Sequence, residues 1–217
     1  MSEKPILFSA PMVRAILDGR KTQTRRILKP QPPAEYSLLG IYAPHLTAVW
    51  HCEPTGTKDK SARLPYAPGD VLWVREAFRT HEGGTIRDPG SGFVIDHIDP
   101  EIVYKADRTT PGGRWKPSIH MPRWASRITL RVTAVKVERL QDISEDDAKA
   151  EGILVGEPLP EIPESIGDIY HNGVTDPMDG WTRDPGQAFH DLWTSINGAD
   201  SWAANPWVAA ISFERVK

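Results

Sequence analysis

Lys21, Thr24, Arg25 and Arg26 form the densest group of chemically capable side chains in this 217-residue sequence. With Arg20 they place four basic groups between positions 20 and 26. Like charges so close repel one another, and a lysine that is also partly buried loses proton affinity. A lysine made neutral in this way can act as a base toward a neighbouring threonine hydroxyl, which then becomes a nucleophile. The plain alternative is a set of cations placed after a helix C-terminus, where the helix dipole favours them without any function.

Glu151 is the second candidate. It falls in the last turn of a short predicted helix, where a carboxylate is electrostatically disfavoured. That placement favours the protonated form and suits a general acid. The alternative is an exposed glutamate that merely tolerates its position. His45, His51, Cys52 and His81 are the only other cluster of ligand-type residues, and their spacing fits no established metal pattern. No glycine loop of the phosphate-binding type is present; Gly83-Gly84 and Gly112-Gly113 read as turns.

These groups need elements to hold them. Ile6-Leu7-Phe8 reads as a first strand. Ser9-Ala10-Pro11 reads as a helix start, with Ser9 able to cap and proline tolerated in the first turn. Met12 with Ile16 and Val13 with Leu17 repeat at helical spacing, and Gly19 stops the helix. Lys21 and Thr24 are then expected in a loop. Residues 29–68 read as a long loop with one strand near Leu46–Val49. Pro68-Gly69-Asp70 is a turn into a buried strand, Val71–Val74, and Thr80–Gly92 is a loop. Ile102–Tyr104 is a strand.

The longest strand signal is Arg127–Arg139. Its apolar phase flips between Ala134 and Val135, as at a β-bulge. Ser144-Glu145-Asp146-Asp147 opens a short helix that stops at Gly152. Residues 157–183 read as an acidic loop. Pro185–Ile196 is a helix with Phe189, Leu192, Trp193 and Ile196 on one stripe, and Trp207–Val216 is a final strand.

Composition sets the outer limits. Twenty prolines and 17 glycines argue for many turns and against a helical bundle. The single cysteine excludes an intramolecular disulfide and points to a reducing compartment, read as cytoplasmic. No segment reads as a signal peptide or a membrane span. The net charge of −3 is unevenly spread: residues 103–139 carry a net +7 and residues 140–217 a net −11. Trp115, His120 and Trp124 interleave with cations in the basic stretch. Arg114, Lys116 and Arg123 are therefore candidates for holding a nucleoside or a single-stranded nucleic acid.

Gly19-x-Lys21-x-x-x-x-Arg26 resembles the G-x-K-x-x-x-x-R signature of the ASCH family, a PUA-like group. Ile16 to Thr24, with both threonines, is similar to the helix-to-loop segment of the small bacterial N(4)-acetylcytidine amidohydrolases in that family. Pro68–Leu72, Ser144–Gly152 and the last strand through Phe213 resemble further pieces. Lys4–Ser9, Leu72–Glu76 and Asn205–Val208 resemble the longer ASCH proteins of phages and prophages.

The resemblance implies a single α+β domain over 1–217. It would be a PUA-like β-barrel with flanking helices and insertions at about 30–65, 80–100 and 155–185. It implies Lys21 as proton acceptor, Thr24 as nucleophile and Glu151 as proton donor, with Arg25 and Arg26 near the substrate. It implies no metal and no organic cofactor. Two other readings stay open: a non-catalytic RNA- or DNA-binding module, and a phage accessory protein that binds a host protein through its acidic C-terminal third.

Overall fold

A computed structural model of the chain describes residues 3–43, 46–52, 59–80, 86–87, 94–95, 102–107, 114–156, 168–174 and 180–216. In chain order the elements are β1 (Glu3–Leu7), α1 (Ala10–Leu17), β2 (Gln23–Ile27), β3 (Ser37–Tyr42), β4 (Thr47–His51), β5 (Lys60–Arg63), β6 (Val71–Arg75), β7 (Phe78–Thr80), β8 (Ile86–Arg87), β9 (Val94–Ile95), β10 (Ile102–Tyr104), β11 (Thr129–Arg139), α2 (Glu145–Ala150), β12 (Leu154–Gly156), β13 (Ile169–His171), α3 (Pro185–Asn197), α4 (Asp200–Ala203) and β14 (Trp207–Arg215). The fold is mixed α+β, with strands predominating among the described residues. No helix among them is long and apolar enough to cross a membrane.

The main sheet has five strands in the order β1-β6-β11-β14-β2. β1 runs parallel to β6, and the other three pairings are antiparallel. β11 and β14 form its spine. Their register shifts between Val132 and Ala134, one step before the expected phase change. The shift lets Leu130, Val132 and Val137 all reach the core despite their mixed parity. Leu72, Leu130, Val208 and Ile211 are fully covered. Burying each such side chain contributes about 1.5–3 kcal/mol, and Leu130→Ala would cost about 2–5 kcal/mol.

The expected closed barrel is not formed by backbone pairing among the described residues, because β1 and β2 remain the two edges. Pro5 lies on β1 and has no N–H to offer a further strand, a device typical of edges. The edges nonetheless face each other. Arg26 Nη2, on β2, donates to the Leu7 carbonyl at the end of β1 over 2.7 Å. A side chain thus spans the seam that a strand pair would otherwise close.

Two segments expected to be loops hold strands, and the long segment 29–68, expected to carry one strand near Leu46–Val49, holds three, of which β4 is the expected one. β3, β4 and β5 form a three-stranded sheet inside 30–65, where buried Ala48, Trp50 and Ala62 supply a packing face. β8 pairs with β9 inside 80–100, and β12 pairs with β13 across the acidic segment. β2 replaces the loop expected after α1. The helices match their signals more closely. Ser9 stands at the α1 N-cap position, but its side chain makes no capping hydrogen bond. Ser144 does cap α2, accepting from the Asp147 N–H at 3.2 Å. Gly19, Gly152 and Gly198 all have positive φ at helix ends.

Candidate active site around Lys21 and Glu151

β2 and the end of α2 meet at the site. Lys21 and Glu151 form an isolated antiparallel bridge, and the Thr22 N–H donates to the Ala150 carbonyl at 2.9 Å. The Lys21 N–H donates to the Ala15 carbonyl at 2.9 Å, which fixes the same residue to α1. Two helices therefore pin the backbone of Lys21 before β2 begins.

The side chains repeat the connection. Lys21 Nζ donates to Glu151 Oε2 and to the Glu151 backbone carbonyl, each at 2.7 Å. Both residues are buried. Burial pushes the proton affinity of Lys21 down. Glu151 opposes that shift, and Arg26 and Arg25 add to it. Glu151 stands at the C-cap of α2, as its sequence position suggests. Its carboxylate does not face a bare helix end, because two cations hold it.

The second cation is Arg25. Its guanidinium is completely buried and reaches Glu151 Oε1 at 3.1 Å, Glu138 Oε1 at 2.7 Å and Asp147 Oδ2 at 2.9 Å. It also donates to Gln23 Oε1 at 2.6 Å. One planar group thus ties together three acidic residues from β11, α2 and the α2 C-cap. Glu138, Asp147 and Gln23 are the residues that sequence reasoning missed. Their charge and polarity suggest surface positions, and nothing in their spacing marks a common partner.

Lys21, Thr24, Arg25, Arg26 and Glu151 all line one cavity of about 470 Å³. Thr24 is buried in β2 rather than exposed in a loop, so changing it disturbs the sheet as well as the cavity. Among the described residues its hydroxyl has no hydrogen-bond partner. α3 forms the opposite wall with Phe189, Leu192 and Trp193. Ile196, on the same stripe, is 56% exposed yet lines the cavity, and Asn197 follows it. The helical stripe was visible in the sequence, but its role as a cavity wall was not.

The remaining candidates lie elsewhere. Arg114, Lys116 and Arg123 are exposed, and none lines the cavity. Arg123 pairs with Glu3 at 2.6 Å. Ser118 is the residue of that basic stretch that does reach the cavity. His51 pairs with Asp59 at 2.7 Å, and Cys52 is buried in the core. His45 and His81 lie outside the described residues. No group of three metal-ligand side chains occurs among the described residues.

No family model, curated protein or solved structure matches this chain. The reading of the site therefore rests on its own geometry and on the resemblance carried by Gly19 to Arg26.

Proposed function

We propose that the chain is an amidohydrolase that removes the acyl group from N(4) of an acylated cytosine nucleoside. The observation that carries this reading is the 2.7 Å contact between Lys21 Nζ and Glu151 Oε2 in a cavity that also contains Thr24. The cavity's volume falls within the usual range for small-molecule sites. Its apolar wall on α3 suits a planar base, and its polar floor on β2 suits the amide. The accompanying fold reading is an ASCH-type, PUA-like half-barrel, supported by the edge strands that face each other across Arg26.

The mechanism follows from one shared proton. A shift within the Lys21–Glu151 hydrogen bond gives neutral Lys21 and protonated Glu151 without changing the pair's total proton content. Neutral Lys21 takes the Thr24 hydroxyl proton as Thr24 Oγ1 bonds to the acyl carbon. The carbonyl oxygen becomes an oxyanion, which nearby backbone N–H groups stabilise. The C–N bond then breaks, and Glu151 supplies the proton that leaves with the amine. The pair returns to lysinium and carboxylate, and Thr24 carries an ester. A second shift of the shared proton readies Lys21 to activate water. Water cleaves the ester, which releases the carboxylic acid and restores Thr24.

The test is deacylation of N(4)-acetylcytidine by the purified chain, with cytidine and acetate as products. Turnover by wild type, lost in Lys21→Arg, supports the proposal, because arginine does not deprotonate. No turnover across several acyl groups sinks it. A second reading, single-strand binding without chemistry, is favoured by Trp124. That residue is 68% exposed on the same basic segment as Arg114 and Lys116.

A further inference from the structure

The cavity does not end at the base-sized space under α3. A second hollow of about 400 Å³ shares Leu7, Arg26, Ile27 and Lys29 with it and extends to Arg63 and Tyr66. This hollow follows the seam between β1 and β2, where Arg26 spans the gap to the Leu7 carbonyl. Its cations are Arg26, Lys29 and Arg63, and no acidic residue lines it. The three also lack carboxylate partners among the described residues. The contrast with Lys21 and Arg25 is sharp. Those two are neutralised by Glu151, Glu138 and Asp147. Arg26 sits between the two regions, half-buried and stacked 5.3 Å from the Phe8 ring centroid. Arg26 feels the charge of Glu151 at longer range, but its hydrogen-bond acceptor is a neutral carbonyl, so it keeps donors for an anion.

Resting on the proposed cytosine-binding cavity, we infer that the seam is a phosphate subsite: Arg26, Lys29 and Arg63 hold a phosphate of the nucleoside whose base lies under α3. The ligand would then be a phosphorylated cytosine nucleoside, with the ribose crossing the seam. The geometry suits this order. The base needs the apolar wall, and the phosphate needs cations outside it but in a continuous space. Two sources share the chemistry, a mononucleotide and a phosphodiester within a strand. A mononucleotide needs only the seam. A strand would continue past Arg63 toward Lys4 along a third hollow that shares Arg63 and Tyr66.

The experiment is calorimetric binding of cytidine, cytidine 5′-monophosphate, cytidine 3′-monophosphate and a short oligocytidylate to wild type and to Arg63→Gln. Arg63 is exposed at the end of β5, so the change leaves the core in place. Wild type is expected to bind at least one phosphorylated ligand about tenfold or more tightly than cytidine. Arg63→Gln is expected to cut that ratio severalfold. A clear gain for the oligomer over both monophosphates, steeply weakened by salt, assigns the phosphate to a strand; equal affinities assign it to a mononucleotide. A wild-type ratio near one, or a ratio unchanged in Arg63→Gln, overturns the subsite. Binding is read without turnover, so an inactive protein that still prefers the phosphorylated ligand rejects the hydrolase reading and keeps the subsite.

Discussion

Gly152 and Lys21 stand so close that a methyl group on the glycine would lie 2.8 Å from Lys21 Cβ. The same methyl would lie 2.9 Å from Ala15 Cβ, and Gly152 has φ of +91°. The glycine after Glu151 thus does two things. It ends α2 in a left-handed turn, and it lets the turn approach Lys21 closely enough for the short Lys21–Glu151 contact.

Gly152→Ala should therefore cost more than the backbone strain alone. Strain at a left-handed position costs about 1 kcal/mol, and overpacking adds about 1–3 kcal/mol. Gly69→Ala is the control, since its φ is +87° and nothing lies within 4 Å of its added methyl. Urea unfolding of both variants is the measurement. Equal losses would mean that the contact with Lys21 yields freely.

Arg25 is expected to be the most sensitive position in the site. Arg25→Met removes the cation common to Glu138, Asp147 and Glu151. Removing one partner of a buried charge cluster costs about 3–5 kcal/mol. Lys136 still reaches Glu138 at 2.6 Å and Lys21 still reaches Glu151, so the loss should fall toward the lower end. Arg25→Lys should rescue little, because one ammonium does not span the same acceptors. A loss below about 1 kcal/mol for Arg25→Met would contradict a structural role for the cluster.

How far the sequence carries depends on which signal each element uses. α1 was readable because Met12, Val13 and Ile16 repeat at helical spacing and Gly19 follows. β11 was readable from alternation, down to its irregularity near Ala134. β2 was hidden because its buried positions are Thr24 and Arg25, not apolar residues, so periodicity in hydrophobicity is silent there. β4 was readable near Leu46–Val49, but β3 and β5 were hidden by the surrounding prolines and by chain too irregular in composition to show a period. The site was partly legible. A local run named Lys21, Thr24, Arg25 and Arg26, and the predicted end of a short helix named Glu151. The acidic partners of Arg25 lie 113, 122 and 126 residues away in sequence, so only the folded chain brings them together. Charge counting misled in the same place. The acidic C-terminal third reads as a surface, yet Asp147 and Glu151 turn inward onto cations.

The pH dependence should separate stability from activity. Burial holds Lys21 below the ordinary lysine value. Between that lowered value and the ordinary one the unfolded chain binds the extra proton, so the stability contributed by this residue rises with pH across the window. Below the lowered value the cost of burying the charged form is constant. Lys21→Met should lack this rise, and urea titrations of both proteins across the alkaline range would reveal it. Activity should move the other way. The one-proton Lys21–Glu151 pair is the working form, and it disappears as Lys21 loses its proton. The alkaline limb of kcat/KM should therefore descend, at a pH below the ordinary lysine value. A limb that ascends there would mean that lysine works as a free amine and that the leaving group takes its proton from elsewhere.

Thr24 offers the sharpest separation of chemistry from packing. Thr24 is buried in β2, where it pairs with Ile211 of β14. Thr24→Val keeps the branched shape and strand preference but removes the hydroxyl. Since that hydroxyl has no hydrogen-bond partner among the described residues, the substitution should change stability by less than about 1 kcal/mol. If Thr24 Oγ1 is the nucleophile, Thr24→Val should lose about 10³-fold or more in kcat while the Kd for cytidine changes little. Thr24→Ser restores a hydroxyl at the same position and should recover much of the loss. Lys21→Met in the Thr24→Val background should add almost nothing, because a base has no task once the hydroxyl it serves is gone. A binding module gives a different pattern. There Thr24→Val and Lys21→Met would each weaken cytidine binding, and their effects would add in the double variant. The measurement is a double-mutant cycle on kcat and on cytidine Kd in parallel. Non-additivity in kcat with near-wild-type Kd identifies Thr24 and Lys21 as one catalytic unit, whereas additive losses in Kd with no turnover in any variant would remove Thr24 as a nucleophile.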